Sequence, residues 1–173
     1  MSPQTYRLLQ ELREKTGKEY GKLVQKLLAI ALLESGVERL VDRSTQGIDL
    51  EVQIAGTRHA FEVKTSEGAD IKLGKKDLDG LDRQIQDGAE PYVVVLGGGP
   101  LDEWLFVRYH RGELLRGKKL TLFQLRAYRT PSLENRVRRP FEEAVARHAT
   151  TALEERQAGL DRVLERYPAR GVA

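Results

Sequence analysis

The segment IDLEVQIAGTRHAFEVKTSEG, residues 48–68, decides how the rest of the chain is read. Ile48, Leu50, Val52 and Ile54 alternate with Asp49, Glu51 and Gln53. Beyond Ala55-Gly56, Phe61 and Val63 alternate with Ala60, Glu62 and Lys64. A period of two on both sides of a short turn predicts a half-buried β-hairpin. Its polar face is unusual, because it carries acids and a base together. If Ala55-Gly56 forms the loop, Asp49 falls opposite Glu62, and opposed Cβ atoms lie about 4.5–5.5 Å apart. Two carboxylates that close repel unless a cation lies between them, and a hard divalent ion such as Mg²⁺ takes oxygen ligands of this kind. If the loop is Gly56-Thr57, Asp49 faces Lys64 and Glu51 faces Glu62. Either register keeps the acids and Lys64 on one face, because the shift preserves parity.

Outward from the hairpin, the periodicity changes to that of helices. Ser2-Pro3 reads as a cap followed by proline at the first helical position, with Tyr6, Leu9 and Leu12 at helical spacing. Thr16-Gly17 breaks this helix. A second spans about 18–35, with Leu23, Leu27, Ile30 and Leu33 on an apolar stripe and Gly36 at its end. VERLVD (37–42) suits a short strand. KKDLDGLDRQIQDG (75–88) spaces Leu78, Leu81 and Ile85 as a helix. PYVVVLGGG (91–99) is a continuous apolar run, the mark of a strand covered on both faces. EWLFVRYH (103–110) is a further strand. LTLFQLRAYR (120–129) is ambiguous, with Thr121 a possible helix cap. Residues 132–168 are helical, and their apolar points are too irregular for a heptad seam. This order predicts an α/β core of about 17–130 between a helix at 1–16 and a helical extension at 131–173.

Composition narrows the chemistry. The 173 residues include no cysteine, which excludes disulfides, thiolate metal sites and a cysteine nucleophile. Charged residues make up 32% and the formal charge is +3, which permits a nucleic-acid partner without demanding one. No apolar run suits a membrane span or a signal-peptide core, so the expectation is a cytoplasmic protein. His59, His110 and His148 are scattered and suggest no metal cluster or triad. LGGGP (96–100) lacks the ending of a phosphate loop and reads as a turn between strands.

An acid-x-lysine triplet alone is weak. The chain has two, Glu62-Val63-Lys64 and Asp70-Ile71-Lys72, about what chance gives with 26 acidic residues. The first stands out by context: it lies in a strand after an Asp-bearing strand, and a helix and another apolar strand follow. With that context, residues 17–110 resemble the restriction-endonuclease-like, or PD-(D/E)xK, nuclease superfamily. They are similar to small members such as archaeal Holliday-junction resolvases and Mrr-type restriction nucleases.

The resemblance implies a central mixed sheet flanked by helices and a metal-dependent DNA endonuclease. It makes Asp49 and Glu62 ligands of Mg²⁺, or of Mn²⁺ in its place, with the Val63 carbonyl as a third ligand. Lys64 would orient the attacking water and stabilise charge on the phosphate. Ile48 stands where the family name has proline, a small departure because only the carboxylate binds metal. On the first core helix the family often carries a glutamate; here Gln25 occupies that place, without charge, and Glu19 lies nearly two turns earlier. The expectation is then one metal rather than two, or weak metal binding. Thr65, Ser66, Lys72, Lys75 and Lys76 would contact the nucleic-acid backbone, and Arg126, Arg129, Arg136, Arg138 and Arg139 form a second basic group. A homodimer is expected, since nucleases that cut both strands commonly work as symmetric pairs. No organic cofactor is expected. The plain alternative for Asp49, Glu62 and Lys64 is an ion-paired strand face. The alternative for the whole chain is a nuclease-fold module that binds nucleic acid or a protein partner without cutting.

Overall fold

The structure, a computed structural model, describes residues 1–43, 47–66, 68, 70–99, 101, 103–110 and 119–168. The hairpin forms in the first of the two registers. Strand β2 (Leu50–Ile54) pairs antiparallel with β3 (Thr57–Thr65), Leu50 opposite Phe61 and Ile54 opposite Thr57. The turn explains the choice. Ala55 has φ +50° and Gly56 φ +76°, and positive φ at both central residues is what a two-residue turn matching strand twist requires. Strand β1 (Arg39–Asp42) pairs antiparallel with the outer edge of β2.

On the other side of β3 lies β5 (Glu90–Leu96), parallel to it, and then β6 (Trp104–Arg108), antiparallel to β5. The sheet order is therefore β1-β2-β3-β5-β6, a mixed sheet with its longest strand at the centre. The β3-to-β5 crossover contains α3 (Lys75–Gln86). A separate two-stranded sheet joins β4 (Asp70–Lys72) to β7 (Lys119–Thr121).

Alternation along the strands builds two cores. Leu50, Val52, Phe61, Val63, Val94, Leu96 and Phe106 face α2 (Tyr20–Glu34). Val93, Val95, Leu105 and Val107 face Leu78 and Leu81 of α3 and a cap made by β4, β7 and α4 (Leu122–Arg126). Phe61 meets Tyr92 and Phe106 edge-on, at centroid distances of 5.8 and 5.4 Å, the arrangement aromatic pairs prefer.

The leading helix α1 (Pro3–Thr16) is capped by Ser2, whose hydroxyl accepts from the Thr5 N–H. Gly17 (φ +53°) ends it, and a short 3₁₀ turn leads into α2. Helix α2 ends at Ser35 with Gly36 at φ +80°. The segment expected as one C-terminal helical stretch is two helices, α5 (Pro131–Glu154) and α6 (Arg156–Leu164), divided where Arg156 takes φ +57°. Both pack on α2, and α1 packs beside α5, so Val137, Phe141, Val145 and Leu160 join the core that contains α2. Thr121 caps α4 by accepting from the Gln124 N–H, which settles the ambiguous stretch. No described helix is long and apolar enough to cross a membrane.

Candidate active site

Asp49 stands one residue before β2 and continues its register. Its N–H donates to the Phe61 carbonyl at 3.0 Å. Its side chain turns toward β3, where Oδ2 accepts the Val63 N–H at 2.9 Å. The carboxylate of one hairpin arm is thus fixed against the backbone of the other, beside Glu62. A second constraint comes from α3. A Cβ built on Gly80 would lie 1.8 Å from the Gly47 carbonyl oxygen, so the loop carrying Asp49 crosses the helix at the one residue that admits it.

Glu62 and Lys64 follow on the α3 side of β3. The Lys64 ammonium is shared between Glu62 Oε1 and Asp77 Oδ2, at 2.8 Å from each. Asp77 lies in the first turn of α3, and the same oxygen accepts the Gly74 N–H at 2.9 Å. One carboxylate therefore caps the helix and holds the lysine. From α2, the Lys22 ammonium bridges Gln25 Oε1 at 2.9 Å and Asp49 Oδ1 at 3.0 Å.

These groups line one open cavity of about 430 Å³ with Lys18, Gly21, Gly47, Ile48, Val63, Thr65 and Lys76. Its lysines are Lys18, Lys22, Lys64 and Lys76, and its acids are Asp49, Glu62 and Asp77. A basic rim around buried acids suits a polyanion held over a cation.

Burial and then the neighbouring Asp49 charge push the Glu62 carboxyl up to about 7, against the opposing pull of Lys64. Burial works to lower the Lys64 pKa, but the charge of Glu62 and the hydrogen bonds to Asp77 and Glu62 outweigh it and leave it above the ordinary lysine value. Burial works to raise Asp77, yet the hydrogen bonds from Lys64 and Gly74 hold it below the ordinary range. The two ligand-type acids repel each other in a poorly solvated place, which is the condition a divalent ion relieves. Their oxygens, with the Val63 carbonyl, are the groups that could hold an ion such as Mg²⁺ or Mn²⁺, which takes oxygen ligands. Among the described residues no cluster of three or more acids or histidines would hold an ion by itself.

Asp49, Glu62, Val63, Lys64, Gln25, Thr65 and Lys76 thus come together at the cavity. Other expected contacts do not. Ser66 is buried, and its hydroxyl lies 2.8 Å from both the Gly68 and Asp70 carbonyls, able to donate its one proton to either, so it ties the loop after β3. Lys72 lies exposed on β4 opposite Lys119, and Lys75 is exposed at the start of α3. Asp70, the acid of the second triplet, pairs with Lys119 at 3.1 Å. In the second basic group, Arg129 pairs with Glu134, Arg136 donates to the Ser35 carbonyl, Arg138 pairs with Glu103 and Arg139 with Glu143. Those four hold the C-terminal segment to its surroundings or to itself. Ser44 and Thr45, which precede Asp49 in the sequence and read as loop rather than catalytic residues, lie outside the described residues.

Sequence reasoning missed Lys22 and Asp77. Asp77 carries a usable signal, an acid three residues after a helix-starting glycine. Lys22 stands three residues before Gln25, the spacing that puts two side chains on one helix face.

The architecture and the placement of this cavity define a restriction-endonuclease-like fold. The chain is similar in structure to Archaeoglobus fulgidus Hjc, a Holliday junction resolvase from an archaeal hyperthermophile, with a TM-score of 0.52. The likeness covers 66% of this chain and 95% of that one at 20% sequence identity. No sequence family and no curated protein matches the chain.

Proposed function

We propose that this protein is a divalent-metal-dependent DNA endonuclease. The observation that carries the reading is the convergence of Asp49, Glu62 and Lys64 on one cavity, with Lys64 held from both sides by carboxylates. Hydrolysis of a phosphodiester places a water oxygen on phosphorus and breaks the bond to one sugar oxygen. The proton lost by the water is matched by the one gained by the leaving oxygen. The charge that builds up on phosphorus-bound oxygens must be met by fixed cations.

Asp49, Glu62 and the Val63 carbonyl would hold the metal, which supplies Lewis-acid activation of water and phosphate when bound. Lys64, held by Asp77, would orient the water and neutralise a phosphate oxygen. Lys18 and Lys76 on the rim would contact the DNA backbone, which positions a duplex without reading its sequence. Asp77 would keep Lys64 in place after Glu62 turns to the metal.

The resolvase named above makes a four-way junction the first substrate to try, and a symmetric pair of chains would then present two sites. The test is a panel of labelled DNAs (single strand, duplex, flap and four-way junction) with Mg²⁺, Mn²⁺ or EDTA, beside Lys64→Ala. Metal-dependent cleavage that the variant loses is the expected result. The absence of cleavage with retained DNA binding would favour the second reading, a binding module of this fold. That reading draws on Gln25, an uncharged group where related nucleases often carry a glutamate.

A further inference from the structure

The reaction described above gives Lys22 no role, yet its ammonium binds Asp49 Oδ1. Its ammonium spans Asp49 Oδ1 and Gln25 Oε1, using two of its three N–H donors. The side chain is 47% exposed, against 26% for Lys64, so its outer side opens on the cavity. Nucleases that use two metal ions set them about 3.5–4 Å apart, to stabilise the attacking and leaving oxygens of the displacement. A second ion needs oxygen donors beyond those of the first. Among the described residues, the oxygens on this side of the site are Gln25 Oε1 and Asp49 Oδ1, and both already accept from Lys22. A divalent ion at that place would meet an ammonium within contact distance and gain no anionic ligand from α2.

We propose that Lys22 is the second cation of the site, a fixed ammonium that contacts the substrate phosphate in place of a second metal, so that each chain takes one divalent ion. The inference rests on the metal-dependent reading above. It predicts three coupled properties. One Mn²⁺ binds per chain in the absence of DNA. Lys22 competes with that ion for Asp49, so removing it tightens metal binding while weakening DNA binding. Supplying a carboxylate at the same position creates the second metal site.

The experiment is a Mn²⁺ titration of the whole chain, followed by electron paramagnetic resonance and by calorimetry, on wild type, Lys22→Met, Lys22→Arg and Lys22→Glu. DNA affinity is measured in Ca²⁺ for each. Expected are one ion for wild type and an affinity roughly tenfold tighter in Lys22→Met, the order of effect for removing one neighbouring like charge. Lys22→Met should also bind DNA about tenfold more weakly, with Lys22→Arg close to wild type, and Lys22→Glu should take two ions. Two ions on wild type would overturn the inference while leaving the nuclease reading intact. So would a Lys22→Met protein with unchanged metal and DNA affinities. A wild-type protein that binds no Mn²⁺ and cuts no DNA would overturn the proposed function itself. If Lys22→Met does not fold, the wild-type ion count and the Lys22→Arg affinities decide.

Discussion

Replacing Glu62 by glutamine should make the metal-free protein more stable at alkaline pH. Glu62 is 5% exposed, and the pKa of its carboxyl is raised from 4.5 to about 7, mainly by burial and then by Asp49. A raised carboxyl pKa means that folding favours the protonated group. Below pH 4.5 both folded and unfolded chains carry it protonated, and Glu62 imposes no penalty. As the pH rises toward 7 the unfolded chain ionises first, and above 7 the folded site must hold a charge it disfavours. At about 1.4 kcal/mol per pH unit, the interval from 4.5 to about 7 corresponds to a loss of about 3 kcal/mol. Glutamine keeps the shape and never ionises, and Lys64 keeps Asp77 as a partner. In EDTA, thermal unfolding followed by circular dichroism should put Glu62→Gln above wild type at pH 8 by about 5–10 °C, narrowing toward pH 5. Saturating Mn²⁺ should reverse the order, since only wild type has both carboxylates. A difference between the two proteins that does not change with pH, or a wild type more stable than the variant at pH 8 in EDTA, would refute the account of the site's electrostatics.

Gly80→Ala should cost about 2–3 kcal/mol in chemical denaturation and weaken Mn²⁺ binding, because its methyl meets the Gly47 carbonyl oxygen and displaces the loop that carries Asp49. Asp77→Asn preserves an acceptor for the Gly74 N–H but removes a charge from Lys64, so cleavage should fall about tenfold or more with little loss of thermal stability. Equal loss of stability and rate would mark Asp77 as a capping residue alone. Ala55→Asn should stabilise by about 1 kcal/mol, since Ala55 sits at φ +50° in a turn that favours asparagine; an unchanged denaturation midpoint would count against the turn geometry.

The hairpin was legible because its two signals agree. Alternation set the faces, and Ala55-Gly56 is the loop whose backbone suits a tight turn. The buried strand at β5 and the helix at α3 followed from an apolar run and a clean spacing. The β4-β7 sheet was not legible: a three-residue strand shows no periodicity, and its partner lies some fifty positions away. That sheet also shows why strand context alone does not mark a site. Asp70-Ile71-Lys72 is on a strand too, and what separates it from Glu62-Val63-Lys64 is the company each keeps, Lys119 in one case and Asp49 in the other. Lys22 and Asp77 look like an ordinary helical lysine and an ordinary capping acid. Only tertiary placement gives them Asp49 and Lys64 as partners. The second basic group shows the same limit, because composition counts charges and cannot see that Arg129, Arg136, Arg138 and Arg139 are engaged within the chain.

Helix α2 explains why the C-terminal helices bear on the site. The stripe of Leu23, Leu27, Ile30 and Leu33 was read as one apolar face, yet Val24, Leu28, Ala29, Ala31 and Leu32 fill the remaining circumference, and all are buried. A helix apolar all round needs cover on every side. The sheet covers one side, and α1, α5 and α6 cover the others. The cover is also polar at chosen points. Lys26, next to Gln25 and 9% exposed, pairs with Asp161 of α6 at 2.7 Å, and Glu34 at the far end accepts from Arg147 and Tyr167. The helix that presents Lys22 and Gln25 to the cavity is thus fixed from behind by residues 131–168. A site that depends on sub-ångström placement of an ammonium against a carboxylate needs such backing, because loose helices do not hold long side chains in one geometry. On this argument the C-terminal helices would bear on the proposed chemistry without touching it, by setting where α2 begins relative to Asp49.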